Sequence, residues 1–177
     1  MTPTGATGRL PCVAVAVHGH SPGDHLMAVL ADAEHTARLD HADWWPQPDG
    51  VRLAVLPPAS ADRFPRALDT ALGRHNTEHP RLRLRVAIHL DRAPAAAVRL
   101  VGSRSLHDAL DEAPDTNLAL LLSDSAAPLY SLPRHSALQP DELHEVVTRD
   151  RHAVTGAWLW TPAWTATTLS TSDGRRN

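Results

Sequence analysis

The sequence predicts an α+β sandwich, a mainly antiparallel sheet with helices packed on one face. Three observations carry that reading. Valine- and leucine-rich runs of strand length alternate with stretches of helical apolar spacing. Residues 81–89 alternate strictly, with Leu82, Leu84, Val86 and Ile88 on one side and Arg81, Arg83, Arg85 and His89 on the other. That is the pattern of a strand with one face buried and the other wet or covered by a partner. The elements run βα-βα-β-α-βα-ββ and close on an antiparallel pair.

Each element has a local cause. Cys12 to Val17 is a short apolar run rich in valine, like a buried strand. Ser21-Pro22-Gly23-Asp24 has the form of a capping box with proline at the first helical position. Leu26, Val29, Leu30, Ala33 and Ala37 then recur at helical spacing. Residues 41–50 (HADWWPQPDG) form a turn-rich link, and Val51 to Leu56 a strand stopped by Pro57-Pro58. Phe64, Leu68, Ala71, Leu72 and His75 mark a helix starting near Pro65. Pro94 to Leu110 reads as helix with a break near Gly102. Leu118 to Leu122 reads as a central strand, Ser123 to Tyr130 as a short helix, and Leu143 to Arg149 with Thr155 to Trp160 as the closing pair. A chain of 177 residues suits one domain over 11–163. A flexible arm at 1–10 precedes it, and a disordered tail at 164–177, without periodicity, follows.

Composition excludes several function classes. A formal charge of −3 and a pI near 6.4 leave no basic footprint for nucleic acid. All 17 basic residues are arginine, so no mechanism needing a lysine is open. The single cysteine, Cys12, rules out an internal disulfide and a cysteine-based zinc site. It sits in an apolar run and reads as a buried, inert thiol. No apolar run reaches membrane-span length and the N-terminus lacks an apolar signal core, so the expectation is a soluble cytoplasmic protein with no membrane partner.

The strings ALDTALGRHNTEHPRLRLRVAIH, VRL with LHDAL, LALLLSDSAAPLY, PDGVRLAVLPP and GAWLWTP, in that spacing, resemble a class III (adenylate/guanylate) nucleotidyl cyclase domain. The form is the compact one common in high-GC actinobacteria, and the match covers roughly residues 12 to 162. The resemblance implies a ferredoxin-like core with additions. It also implies a dimer, since that family builds its active sites between two domains with open sheet faces contributing. Its chemistry uses two metal ions held by two carboxylates. Ala16 stands where the first of these belongs, and an alanine cannot ligate Mg²⁺. Asp49, in Pro-Asp-Gly, matches the second. The family's transition state is stabilised by an Asn and an Arg four residues apart on one helix. Arg99 matches the Arg, and Ala95 falls where the Asn belongs. Only about nine residues (LDRAPAAAV) join the AIH strand to this helix, so most of the family's connecting hairpin is deleted. Losing one placed electrostatic stabiliser typically costs ~10²–10³ in rate.

Other residues stay open as site candidates. His18 and His20 put two imidazoles at the exit of the first strand, with His25 one turn on, as metal ligands or acid–base groups or as a solvated turn. Asp49 is a ligand or ordinary turn chemistry. Arg99 is a phosphate- or carboxylate-binding fork or a surface ion-pair partner. Arg85 and His89 bind an anion, pair with another subunit, or form a solvated strand face. Among the five tryptophans, Trp158 and Trp160 share one sheet face, where core packing is the default.

The expected function is a non-catalytic cyclase-like (pseudo-cyclase) binding or regulatory module, working as a homodimer or with a cyclase-like partner protein, and with no cofactor. One alternative is a repurposed enzyme that uses the old nucleotide cleft, with a divalent metal or acid–base chemistry at His18 and His20. Another is one half of a heterodimeric cyclase, handling Mg²⁺ and a nucleotide with a partner that supplies the missing Asp and Asn.

Overall fold

In a computed structural model of the chain, residues 9–19, 25–91, 94–131, 137–150 and 153–162 are described. Residues 1–8 of the expected arm, His20, the expected capping box at 21–24 and the expected tail at 164–177 lie outside them; Leu10 itself opens the first strand. Strands β1 (Leu10–Val17), β2 (Trp45–Pro46), β3 (Arg52–Val55), β4 (Leu84–Asp91), β5 (Leu118–Ser123), β6 (His144–Asp150) and β7 (Ala153–Trp160) form one sheet. Helices are α1 (Leu26–Ala37), α2 (Pro58–Ala61), α3 (Phe64–Glu78), α4 (Ala95–Val101), α5 (Arg104–Glu112) and α6 (Ala127–Ser131).

The sheet order is β2-β3-β1-β4-β5-β7-β6. The unit β1-α1-β2-β3-α3-β4, with its strands side by side as β2-β3-β1-β4 and all antiparallel, is the split βαβ arrangement of a ferredoxin-like core. After β4 the chain crosses over through α4 and α5 and returns as β5, parallel to β4. The hairpin β6-β7 then adds to the far side through β7. The α+β class and the mainly antiparallel sheet are as the sequence predicts. The break at Gly102, which ends α4, falls where the sequence places it.

The helices, however, cover both faces of the sheet rather than one. On one face α1 and α3 pack over Val13, Val15, Leu84, Val86, Ile88, Leu120 and Trp160. Their buried residues recur at helical spacing: Leu26, Val29, Leu30 and Ala33 on α1, and Phe64, Leu68, Ala71 and Leu72 on α3. On the other face α4 and α5 bury Ala97, Val101, Leu106 and Leu110 against Cys12, Ala14, Ala16, Ala87, Ala119, Leu121 and Ala157. That second face is paved with alanine, and small side chains let a helix backbone come close. The strict alternation in β4 therefore marks a face covered by the chain's own helices, not a wet one. The open sheet face that the cyclase resemblance implies for dimer formation is closed in the same way. Central β1 is buried on both sides, which explains its near-continuous apolar run.

Two polar groups outside the site, Glu34 and Arg66, are each held by several partners. Glu34, 4% exposed, accepts from Trp44 Nε1 at 2.5 Å and lies 3.2 Å from His41 Nδ1. Arg66 ties α3 to the turn before β6 through Glu142 and the carbonyl of Ala137, with its guanidinium 4.9 Å above the Trp160 ring. Among the described residues no helix is long and apolar enough to cross a membrane.

Candidate functional site

The face covered by α4 and α5 has two ends, because β1 and β4 run in opposite directions. Ala16 pairs with Arg85 at one end, and Cys12 with His89 at the other. The sequence candidates divide between them.

At the first end the described side chains pack against one another. Ala16 is 2% exposed and contributes only a methyl group to the apolar cluster beneath α4. Arg85 turns inward and donates to the carbonyls of Val101 at 3.1 Å and Val17 at 3.2 Å, and its guanidinium also contacts His107 Nε2. Arg83 donates to the carbonyls of Leu110, Ala113 and Thr116, so it caps the C-terminal end of α5, where a cation suits the helix dipole. His18 completes the closure: its Nε2 lies 3.0 Å from Asp111, and its ring is 5.7 Å from that of His107. Burial pushes the Arg85 guanidinium below its ordinary value. The His107 imidazole is also lowered, by burial first and then by the charges of Arg85 and His18.

Asp49 sits at the tip of the β2-β3 hairpin, exposed, with φ 59° beside Gly50 at φ 72°. Asp and Gly are residues that tolerate this left-handed backbone, so the Pro-Asp-Gly string is accounted for by the turn. The residues present do not fit the metal pair of the family. One carboxylate position is a buried alanine, and Arg85 and His18 are engaged with backbone and with Asp111. Among the described residues no group of three His, Cys, Asp or Glu side chains is arranged to hold a metal ion.

The second end is open. A cavity of about 590 Å³ lies at the carboxyl ends of the parallel strands β4 and β5, between them and the α4–α5 corner. This volume falls in the range of small-ligand sites, and the carboxyl end of parallel strands is where such sites occur in α/β sheets. His89 and Asp91 come from β4, Ser123 from the end of β5, and Ser125 from the turn after it. Arg99 lines the cavity from α4, and Arg104 from the start of α5. Thr148, Arg149 and Gly156 of the β6-β7 hairpin close the far wall.

A continuous polar network forms the floor. His89 Nδ1 lies 2.9 Å from Ser123 Oγ, and its Nε2 lies 3.4 Å from Asp91 Oδ2. A carboxylate accepts only, so Asp91 favours the proton on Nε2 and leaves Nδ1 to accept from Ser123. Ser123 Oγ is 3.0 Å from Ser125 Oγ, which donates to the carbonyl of Leu90 at 3.2 Å. Asp124 stands close against Gly156: a Cβ there would meet Asp124 Oδ2 at 2.6 Å. The arrangement can donate and accept hydrogen bonds from the floor and offer guanidinium groups from the walls.

The structure thus brings His89 and Arg99 to one cavity, sends His18 and Arg85 to the closed end, and leaves Asp49 at the hairpin tip. Sequence reasoning missed Ser123, Ser125, Asp91, Asp124, Arg149 and Gly156. The available signal was the serine pair in LLLSDS at the end of a strand; the parallel pairing that sets it beside His89 has no local signature. A second cavity, about 400 Å³ between α1 and α3, is lined by His75 and His79. With His25 these rings stand 4.7 to 5.2 Å apart, and His75 Nε2 is buried without a hydrogen-bond partner.

No protein-family profile matches the chain, and no curated protein does. Two solved structures of a bacterial light-regulated adenylyl cyclase resemble it, each with a TM-score of 0.52. The identities are 7% and 8%; each match covers 89% of this chain and 54% of the other, so the chain spans about half the length of these neighbours. At such identity the likeness is one of fold: the chain has a cyclase-like α+β fold, on which Ala16, Arg85 and His107 close one end of the sheet and His89, Ser123 and Arg99 line a cavity at the other.

Proposed function

We propose that the chain is a cyclase-like module that does not cyclise nucleotides and instead binds a small polar ligand in the cavity at the ends of β4 and β5. It works in pairs, with a second copy or a cyclase-like partner. One observation carries the reading: the position of the family's first metal carboxylate is Ala16, buried beneath α4 in an end that Arg85, His107 and His18 fill. The described residues there supply no carboxylate pair to hold two Mg²⁺ ions, with Ala16 in the place of one. The open, serine-floored cavity lies at the opposite end of the same face.

The test is a thermal-shift screen of the purified chain with ATP and GTP, each with Mg²⁺ and with Mn²⁺, followed by assay for cyclic product. Neither nucleotide forms product. Stabilisation by either nucleotide with metal, together with cyclic product, sinks the reading.

One observation favours a second reading, a repurposed enzyme. The Ser123 hydroxyl faces an imidazole nitrogen whose opposite side faces a carboxylate, the connectivity of an activated hydroxyl. In this reading the acid–base group is His89 rather than His18 or His20. A serine-directed fluorophosphonate probe decides it: a covalent adduct that maps to Ser123 and is absent in Ser123→Ala supports the enzyme, and an unlabelled protein refutes it.

A further inference from the structure

The two edges of the sheet are treated differently. β2 is two residues long and ends in Pro46, so it offers almost nothing to pair with. β6 is seven residues long, contains no proline, and pairs with β7 in unbroken register from His144↔Leu159 to Asp150↔Ala153. Among the described residues no strand covers its outer side. Natural proteins blunt long edges of this kind or use them for pairing.

The side chains along β6 point to one occupant. Glu145, Val147 and Arg149 lie on one face at i, i+2 and i+4, and all are exposed. Val147 is 58% exposed and Val154 68%, the two most exposed large apolar side chains among the described residues. Val154 lies opposite Arg149 and Gly156 opposite Val147, so the two valines share that face. Placing β6 antiparallel to its own image, with the twofold axis through Val147, sets Glu145 opposite Arg149 twice and Val147 opposite itself. Both like-charge contacts are avoided and the two copies of Val147 meet at the axis, with Val154 on the same face one strand inward, beside Arg149. Moving the axis to Val146 or to Thr148 sets Val147 against Glu145 or against Arg149 and loses the match.

We propose that two copies of the chain pair edge to edge through β6, extending the sheet across a twofold axis at Val147. An isologous contact of this kind needs a self-complementary strip, and the Glu-Val-Val-Thr-Arg sequence of 145–149 is one. The pairing deepens the reading that the chain works in pairs and does not depend on what the cavity binds. It differs from a face-to-face dimer, since α4 and α5 cover that face.

Analytical ultracentrifugation over low to high micromolar concentration tests it, with two charge variants. The wild-type chain sediments as a dimer. R149E sets glutamate against Glu145 at both symmetry-related positions and weakens dimerisation about tenfold or more. E145R does the same with arginines. Mixing the two variants restores complementary pairs and returns a dimer of mixed composition. A wild-type monomer at every concentration overturns the proposal and leaves pairing with a cyclase-like partner as the surviving form of the paired reading. A wild-type dimer that neither variant weakens overturns the β6 edge alone and leaves pairing through another surface. Weakening by both variants without recovery in the mixture also overturns it, because the loss is then not one of complementarity.

Discussion

Arg85 and His89 stand four residues apart on the same face of one strand, yet one plugs its end of the sheet and the other lines a cavity. The difference is in what each side chain meets. Arg85 is long enough to reach the carbonyl of Val101 at the end of α4, and α5 lies over it with His107. The terminal nitrogens of Arg85 meet two backbone carbonyls and the His107 imidazole there. His89 is short, and the neighbour that meets it is a serine of the parallel strand. The α4–α5 corner at Gly102 and Ser103 stands off from it and leaves the cavity. The cyclase-like sheet thus carries a polar pocket at one end and packed side chains at the end where the family resemblance places the metals.

Restoring the family's carboxylate attacks the closed end most directly. Ala16→Asp places a carboxylate in a site 2% exposed beneath α4. Overpacking and desolvation together cost about 2–5 kcal/mol, partly offset by the guanidinium of Arg85 across the strand pair. Urea denaturation measures the loss, and cyclase assays of the folded fraction remain blank. A variant of unchanged stability that makes cyclic nucleotide would mean that the closed end is a cleft after all.

Arg85→Ala comes next. It removes the donor to the carbonyls of Val17 and Val101 and leaves a void beside His107, at a cost of about 2–4 kcal/mol. Arg99→Ala, in the open wall, costs less than about 1 kcal/mol and lowers affinity for the cavity's ligand instead. Equal losses in the two variants would erase the distinction between plug and pocket.

How much of this was legible in the sequence follows from where each signal resides. The strands around Val13, Val86 and Leu120 and the helix break at Gly102 are local patterns, and they read correctly. That α4 and α5 cover the second face was not legible. Its signal is a set of alanines, Ala14, Ala16, Ala87, Ala119 and Ala157, scattered over four strands, and they form a smooth face only once β1, β4, β5 and β7 are paired. The alternation of arginines in 81–89 shows two faces but not what covers the second. The same holds for the cavity. His89 and Arg99 stood out as residue types, whereas Ser123 becomes their neighbour through a parallel pairing that spans a helical crossover.

Ser123→Ala probes the floor of the open end with a smaller effect. The hydroxyl is hydrogen-bonded to His89 and close to Ser125, and deleting it costs about 1 kcal/mol. His89 then loses its lateral partner while Asp91 still faces its other nitrogen. Tm falls by a few degrees, about 2–4 °C per kcal/mol in a chain of this size. A drop as large as that of Arg85→Ala would place the network among the structural supports of the fold instead of the lining of a site.

The smallest effect distinguishes the closed end by its titration. The pKa of His107 is lowered by burial, then by Arg85 and His18, with Asp111 and Asp108 acting in the opposite direction. Its Nε2 faces the Arg85 guanidinium, which only donates, so the neutral ring is the form that fits. The unfolded chain binds a proton at the ordinary histidine value of about 6.5, and the folded chain only at lower pH. Between these values the unfolded state carries more protons, so stability falls as pH falls. Above about 6.5 both states are neutral and the contribution is complete; below the folded value it is lost and the profile is flat again. His107→Gln keeps an acceptor for Arg85 and removes the proton. The difference between wild-type and variant stability is then constant above about 6.5 and shifts in favour of the variant below it. A difference that stays constant through that window would mean that the ring is not held against Arg85, and the closed end would lose its titrating member.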